Sequence, residues 1–128
     1  MAAWRDYLID LFPDKEEWWR DSETIYTAHC YLRGYLSDLR KPSDEPIVER
    51  IFEYAGWCLY HEDHDYSNSI GVSFYEHLAD DDWLRRLVVR YVTPRVWRNV
   101  DGLMEFMAKD EKEFRKLAGK MRKKSRRA

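Results

Sequence analysis

Residues 44–78 read DEPIVERIFEYAGWCLY (44–60), HEDHDYSNS (61–69) and IGVSFYEHL (70–78), and the fold class turns on how this stretch is parsed. Ile47, Val48, Ile51, Phe52, Ala55, Cys58 and Leu59 recur at the spacing that lays one apolar stripe along a 3.6-residue helix. Ser43 or Asp44 supplies an N-cap, and Glu45 and Pro46 suit a first turn, where a carboxylate meets the positive end of the dipole and a missing N–H costs nothing. Ile70, Gly71, Phe74, Tyr75 and Leu78 repeat the spacing, so a second helix capped by Ser67, Asn68 and Ser69 is expected to fold back on the first as an αα-hairpin.

Between the two runs, His61, Glu62, Asp63, His64 and Asp65 place two imidazoles and three carboxylates together. A zinc ion takes such ligands, but H-x-x-H falls one residue short of the i, i+4 spacing of the metalloprotease helix. The bland alternative covers the same residues: His61 favours a helix C-terminus, and Asp63 and Asp65 turn or cap the chain. No metal and no cofactor is assigned on this basis, and a metal-dependent enzyme at 61–65 stands third among the functional readings.

Working outward, Trp4, Tyr7, Leu8, Leu11 and Phe12 form a short amphipathic helix stopped near Pro13. Trp18 and Trp19 follow in a segment opened by acidic residues; adjacent positions point about 100° apart on a helix, so the two are not equally buried. From Ser22, the series Ile25, Ala28, His29, Leu32, Tyr35, Leu36 and Leu39 reads as a longer helix. His29 on its apolar side is read as a hydrogen-bonded core residue, and Gly34 within it suggests a close helix crossing or a bend. Asp80 or Asp81 caps a helix through Trp83, Leu84, Leu87, Val88 and Tyr91. The run 87–92 has a strand-like composition, but the helical face fits it better. Thr93-Pro94 opens the next helix, and Asp110 the last, whose stripe Phe114, Leu117, Ala118, Met121 precedes a basic run.

The expectation is an all-α protein: one compact bundle of six or seven antiparallel helices over 1–121 and a frayed basic tail over 122–128. Helix pairs recur, which admits an irregular helical-repeat-like variant, though no sequence period accompanies them.

Asn68, Ile70, Phe74, Glu76 and Leu78 form an Asn, small-apolar, Phe-x-Glu-x-Leu pattern that resembles one found in a loose group of small, uncharacterised bacterial all-α proteins, over about a quarter to a third of the chain. The resemblance implies a bacterial helical domain and transfers no catalytic residue.

Composition narrows the function classes. At 128 residues with 45% hydrophobic and 36% charged residues, the chain is globular and needs no disulfide; Cys30 and Cys58 read as core thiols. Charge arrives at Arg5 and Asp6, and no apolar run approaches a membrane span, so a cytoplasmic protein without membrane contact is expected. No phosphate loop, nucleophile elbow, C-x-x-C or H-E-x-x-H is present, which argues against an enzyme. The net charge of −2 hides an acidic body and a basic end.

An acidic, aromatic-rich, motif-free chain suits electrostatically steered binding of a basic protein around an aromatic anchor. The leading expectation is therefore a stoichiometric protein-binding module, antitoxin-like, immunity-like or phage-defence-related, using Glu62, Asp63, Asp65, Asp80, Asp81 and Asp82 with Trp18 or Trp19 as anchor. The alternative is a nucleic-acid-associated protein using Lys120, Arg122, Lys123, Lys124, Arg126 and Arg127. A homodimer through exposed Trp and Tyr is compatible with the same composition.

Overall fold

The computed structural model describes residues 2–127, and every regular element among them is helical. The chain divides into two compact units, Met1–Phe74 and Tyr75–Ala128.

The first unit holds α1 (Ala3–Leu11), α2 (Glu16–Asp21), α3 (Ile25–Asp38), α4 (Glu45–Leu59) and α5 (His64–Ser73), with 3-10 turns at Pro13–Lys15 and Pro42–Asp44. α5 packs on α3 and α4, and α1 packs on α2 and α4. Leu8, Leu32, Leu36, Ile51, Ala55 and Ile70 lie wholly out of solvent. The helical stripe read in 47–59 is what buries Val48, Ile51, Phe52, Ala55 and Cys58.

Two local expectations are corrected here. The long helix starts at Ile25 rather than near Ser22, because Thr24 takes the N-cap by accepting the Thr27 N–H. Ser22 instead closes α2, its hydroxyl donating to the Trp18 carbonyl at 2.6 Å. Gly34 marks neither a crossing nor a need for small size: it is exposed, and a Cβ there would meet no atom within 4 Å.

The helix expected over 70–78 is displaced. Asp63 caps α5 by accepting the Asp65 N–H at 2.9 Å, so the helix begins six residues before Ile70 and ends at Ser73. Ser67, Asn68 and Ser69 therefore sit inside α5 and satisfy their polar groups along it: Ser67 Oγ donates to the His64 carbonyl, Asn68 Nδ2 to the Tyr26 hydroxyl, and Ser69 Oγ meets His29. Phe74, at φ −126° and ψ −70°, leaves the helix. Local capping preference yields here to tertiary hydrogen bonding.

The second unit holds a 3-10 turn at Tyr75–His77, α6 (Asp82–Tyr91), α7 (Pro94–Met107) and α8 (Glu111–Arg127). α7 packs against the 3-10 turn and α8, and α8 against α6. The start signals read from sequence are realised: Asp81 accepts the Leu84 N–H and Thr93 the Val96 N–H, with Pro94 in the first turn. Residues 87–91 are helical. Of the basic tail read over 122–128, residues 122–127 are helical as the end of α8, and Ala128 lies outside the described residues. With the six-residue α2, the described residues form eight α-helices.

Candidate functional site

Asp63 and Asp81 have structural work as N-caps. Asp65 lies in the first turn of α5, where its carboxylate faces the helix dipole. Asp80 Oδ2 pairs with His77 Nδ1 at 3.5 Å, and Asp82 Oδ2 with Arg86 Nη2 at 2.8 Å. Glu62 is exposed. The six carboxylates fall into two sets, Glu62, Asp63 and Asp65 in the first unit and Asp80, Asp81 and Asp82 in the second.

His61 and His64 do different things. His61 Nδ1 accepts the Asp63 N–H at 3.0 Å, and its ring stacks on Tyr66 with centroids 4.1 Å apart. His64 opens α5 on the exposed side. Among the described residues no group of three or more His, Cys, Asp or Glu is arranged to hold a metal ion.

The two tryptophans separate as adjacency requires. Trp19 is wholly buried, its indole N–H donating to the Phe12 carbonyl at 3.2 Å; it belongs to the core and is unavailable as a surface anchor. Trp18 is half-buried. Its ring lies 5.9 Å from that of Tyr31 and 5.8 Å from that of Tyr35, and Lys15 Nζ sits 4.6 Å from its centroid. Tyr31 is 47% exposed, so α2 and α3 present an aromatic surface flanked by a cation. Rigid aromatic rings with one wet face are the side chains that carry most binding energy at protein interfaces.

The surrounding charge follows the division into units. Residues 1–74 hold 7 Lys plus Arg against 15 Asp plus Glu, a net −8, and residues 75–128 hold 15 against 9, a net +6. The sequence shows an acidic body and a basic end; counted by structural unit, the sign of the net charge changes at Phe74–Tyr75.

A second polar cluster lies inside the first unit. His29 Nδ1 is 2.7 Å from Ser69 Oγ, His29 Nε2 is 2.7 Å from the Tyr54 hydroxyl, and Cys58 Sγ is 3.8 Å from Nε2. The residue types are those of a nucleophile with its base, but all four side chains are sealed from solvent. Burial pushes the imidazole down to about 3 and the Cys58 thiol up to about 12, so both stay neutral. A neutral imidazole has one donor and one acceptor nitrogen, and two hydroxyl partners satisfy either tautomer. The cluster is a buried hydrogen-bonded joint of α3, α4 and α5, as the reading of His29 from sequence anticipated.

The basic residues of α8 are also unequal. Lys124 Nζ donates to the carbonyls of Val89 and Val92, each at 2.8 Å, and reaches that of Arg90 at 3.4 Å. It closes the C-terminus of α6, where a cation is favoured. Lys120, Arg122, Lys123, Arg126 and Arg127 are exposed.

The family described as Domain of unknown function (DUF7674) matches residues 5–102. The chain belongs to this family. The DUF7674 match takes in the Trp18 surface, the His29 cluster and all six carboxylates, and stops within α7. No curated protein and no solved structure matches the chain. No helix among the described residues is long and apolar enough to cross a membrane.

Proposed function

We propose that this chain is a stoichiometric protein-binding module of the antitoxin-like or immunity-like kind, including inhibitors related to phage defence, whose acidic unit takes a basic protein partner with Trp18 as the anchor. The carrying observation is the half-buried Trp18, framed by Tyr31, Tyr35 and Lys15 on a unit of net charge −8. Negative charge over the unit steers a basic surface toward it, and the ring supplies apolar area at low entropic cost. Glu62, exposed, belongs to the surface that such a partner meets; Trp19 does not.

The test is affinity capture from cell lysate with the full chain and with a Trp18→Ala/Tyr31→Ala variant, each with and without nuclease. The expected result is a basic protein held by the wild type, lost from the variant, released by salt and unaffected by nuclease. Equal capture by both chains, or loss on nuclease treatment, overturns the reading.

A second reading is favoured by the exposed Lys120, Arg122, Lys123, Arg126 and Arg127 on a continuous helix in a unit of net charge +6. It makes the second unit a nucleic-acid contact, with affinity falling steeply as salt rises. Replacing Lys123, Arg126 and Arg127 by Gln abolishes that binding and leaves the protein contact intact; unchanged nucleic-acid affinity in this variant sinks the second reading.

A further inference from the structure

Helical geometry sorts the basic residues of α8 into two groups. At about 100° per residue, Lys112, Lys116, Lys120, Lys123 and Arg127 fall within an arc of about 80°, and Arg115, Arg122 and Arg126 within a second arc turned about 100° from the first. The two groups have different neighbours. Arg122 lines the groove between α7 and α8 together with Asp101 and Glu105, and Arg115 pairs with Glu111 at 2.6 Å. On that side, carboxylates accompany the cations.

The first group faces α6. Arg85 Nη2 of α6 lies 4.0 Å from the Glu113 carboxylate, and Lys124 donates to the Val89 carbonyl, so the two helices run side by side in the same direction. The groove between them has two parts that share Val89 and Lys120. Toward the start of both helices, a part of about 170 Å³ holds Asp82 and Glu113, and each is matched, Asp82 by Arg86 at 2.8 Å and Glu113 by Lys116 at 3.2 Å. Toward their ends, a part of about 380 Å³ is lined by Val89, Lys120, Lys123, Lys124 and Arg127. Lys124 is engaged with the carbonyls that end α6. Lys120, Lys123 and Arg127 are exposed and are the cations that a ligand meets. Like charges gathered along one groove repel one another, and a polyanion laid in it relieves the repulsion.

The lining selects the kind of polyanion. It consists of Lys, Arg, Asp, Glu, Val and Leu side chains. Single strands are held on aromatic rings that stack their bases, whereas Lys and Arg are the side chains that hold duplex phosphates and position a protein on them. A lipid surface takes up the apolar face of an amphipathic helix, and that face of α8, Phe114, Leu117 and Met121, is buried. From Lys112 to Arg127 the edge extends about 22 Å at about 1.5 Å per residue, against one phosphate per about 3.4 Å of axis on each duplex strand. The edge is long enough to meet several successive phosphates.

We propose that the α6–α8 edge, Lys120, Lys123 and Arg127 together with Lys112 and Lys116, binds the sugar-phosphate backbone of duplex nucleic acid without regard to sequence. This rests on the second of the two readings proposed above and assigns the contact to one side of α8, with Arg122 and Arg126 outside it.

Two triple variants of the full chain, equal in their change of net charge, test this: Lys120→Gln/Lys123→Gln/Arg127→Gln and Arg115→Gln/Arg122→Gln/Arg126→Gln. Fluorescence anisotropy measures their binding to labelled DNA duplexes of two unrelated sequences and to one single strand between about 50 and 200 mM salt, with phosphatidylserine vesicles as a further arm. All six side chains are exposed, so both variants keep the circular dichroism and melting temperature of the wild type. The wild type is expected to bind both duplexes alike and more tightly than the single strand. The first variant binds duplex about tenfold or more weakly at the lower salt, and its log–log salt slope is shallower by about 2.7, since each lost phosphate contact removes about 0.9. The second variant stays close to the wild type. Equal loss in the two variants, tighter binding of the single strand, or a preference for one sequence beyond about tenfold overturns this inference and leaves the nucleic-acid reading standing. A wild-type chain that binds neither duplex nor single strand, whether or not it binds the vesicles, overturns both.

Discussion

Ser69 Oγ lies 2.7 Å from Nδ1 of His29, forty residues earlier in the chain, and this hydrogen bond joins α5 to α3 in a place that water does not reach. A serine in the middle of a helix competes with its own backbone, so its presence there needs a partner, and His29 is that partner. Ser69→Ala leaves a buried ring nitrogen with one fewer partner, which costs about 1–3 kcal/mol. Ser67→Ala, two residues away, removes a hydroxyl bonded only to the His64 carbonyl on the exposed side and is expected to stay within about 0.5 kcal/mol of wild type. Urea unfolding of the two variants measures the difference; equal losses would refute the role given to the buried pair.

The same histidine makes stability depend on pH. Its folded pKa is about 3 against an ordinary 6.5 because burial penalises the charged ring. Between these values the unfolded chain binds the proton and the folded chain does not. The sign follows: stability attributable to His29 is complete above pH 6.5 and falls as pH drops from 6.5 toward 3, by an amount on the order of 4–5 kcal/mol at the lower limit. His29→Phe is expected to be less stable at pH 7, where Ser69 and Tyr54 lose their partner, and to show a flatter decline between pH 6.5 and 4. Thermal melts across that range read the slope; an unchanged slope in His29→Phe would assign the acid sensitivity elsewhere.

How much of this was legible differs from residue to residue. The stripe Val48, Ile51, Phe52, Ala55, Cys58 was readable because core burial imposes helical periodicity directly. The Thr93 and Asp81 caps were readable because their chemistry acts over three residues. The start of α5 was not, since Asp63 and Ser67 are both good caps in isolation and only His29, Tyr26 and Tyr54, distant in sequence, decide that Ser69 belongs inside the helix. The inequality of Trp18 and Trp19 followed from helix geometry, but which one is buried depended on the Phe12 carbonyl. Lys124 looked like its neighbours in the basic run, because its partners are the carbonyls that end α6. Phe106 stands off the helical spacing of Val96, Trp97, Val100 and Met104 and is accordingly exposed.

The two thiols, both read as core residues, are expected to differ in reactivity. Cys30 is exposed and Cys58 is sealed, with its pKa pushed up to about 12. The thiolate is the reactive form, so a thiol reagent at pH 8 should modify Cys30 quickly and Cys58 only after unfolding. Labelling followed by mass spectrometry checks this. Two rapid modifications of the native chain would mean that the joint of α3, α4 and α5 opens readily.

Lys124 separates structural from binding charge in α8. Lys124→Met removes hydrogen bonds to the Val89 and Val92 carbonyls and is expected to cost about 1–2 kcal/mol, as a partly exposed charged donor does. Lys123→Met touches none of these carbonyls and should be neutral within about 0.5 kcal/mol. Chemical denaturation distinguishes them. Equal effects would place the closure of α6 on the charge of α8 as a whole rather than on this one ammonium group.

Among the carboxylates of 62–65, capping and surface charge can be separated by substitution. Asp63 holds the start of α5 through the Asp65 N–H, so Asp63→Ala should lower stability by about 1 kcal/mol, with any loss of partner binding following the loss of fold. Asp63→Asn keeps an acceptor for that N–H while removing the charge, and should recover most of the stability. Glu62 is exposed, so Glu62→Lys should leave the unfolding midpoint unchanged and weaken a basic partner mainly through slower association, an effect that disappears at high salt. Paired measurements of melting temperature and of association rate against ionic strength separate the two roles. If Glu62→Lys leaves the association rate unchanged while Asp63→Asn lowers it, the charge that steers the partner is the capping carboxylate and not its exposed neighbour.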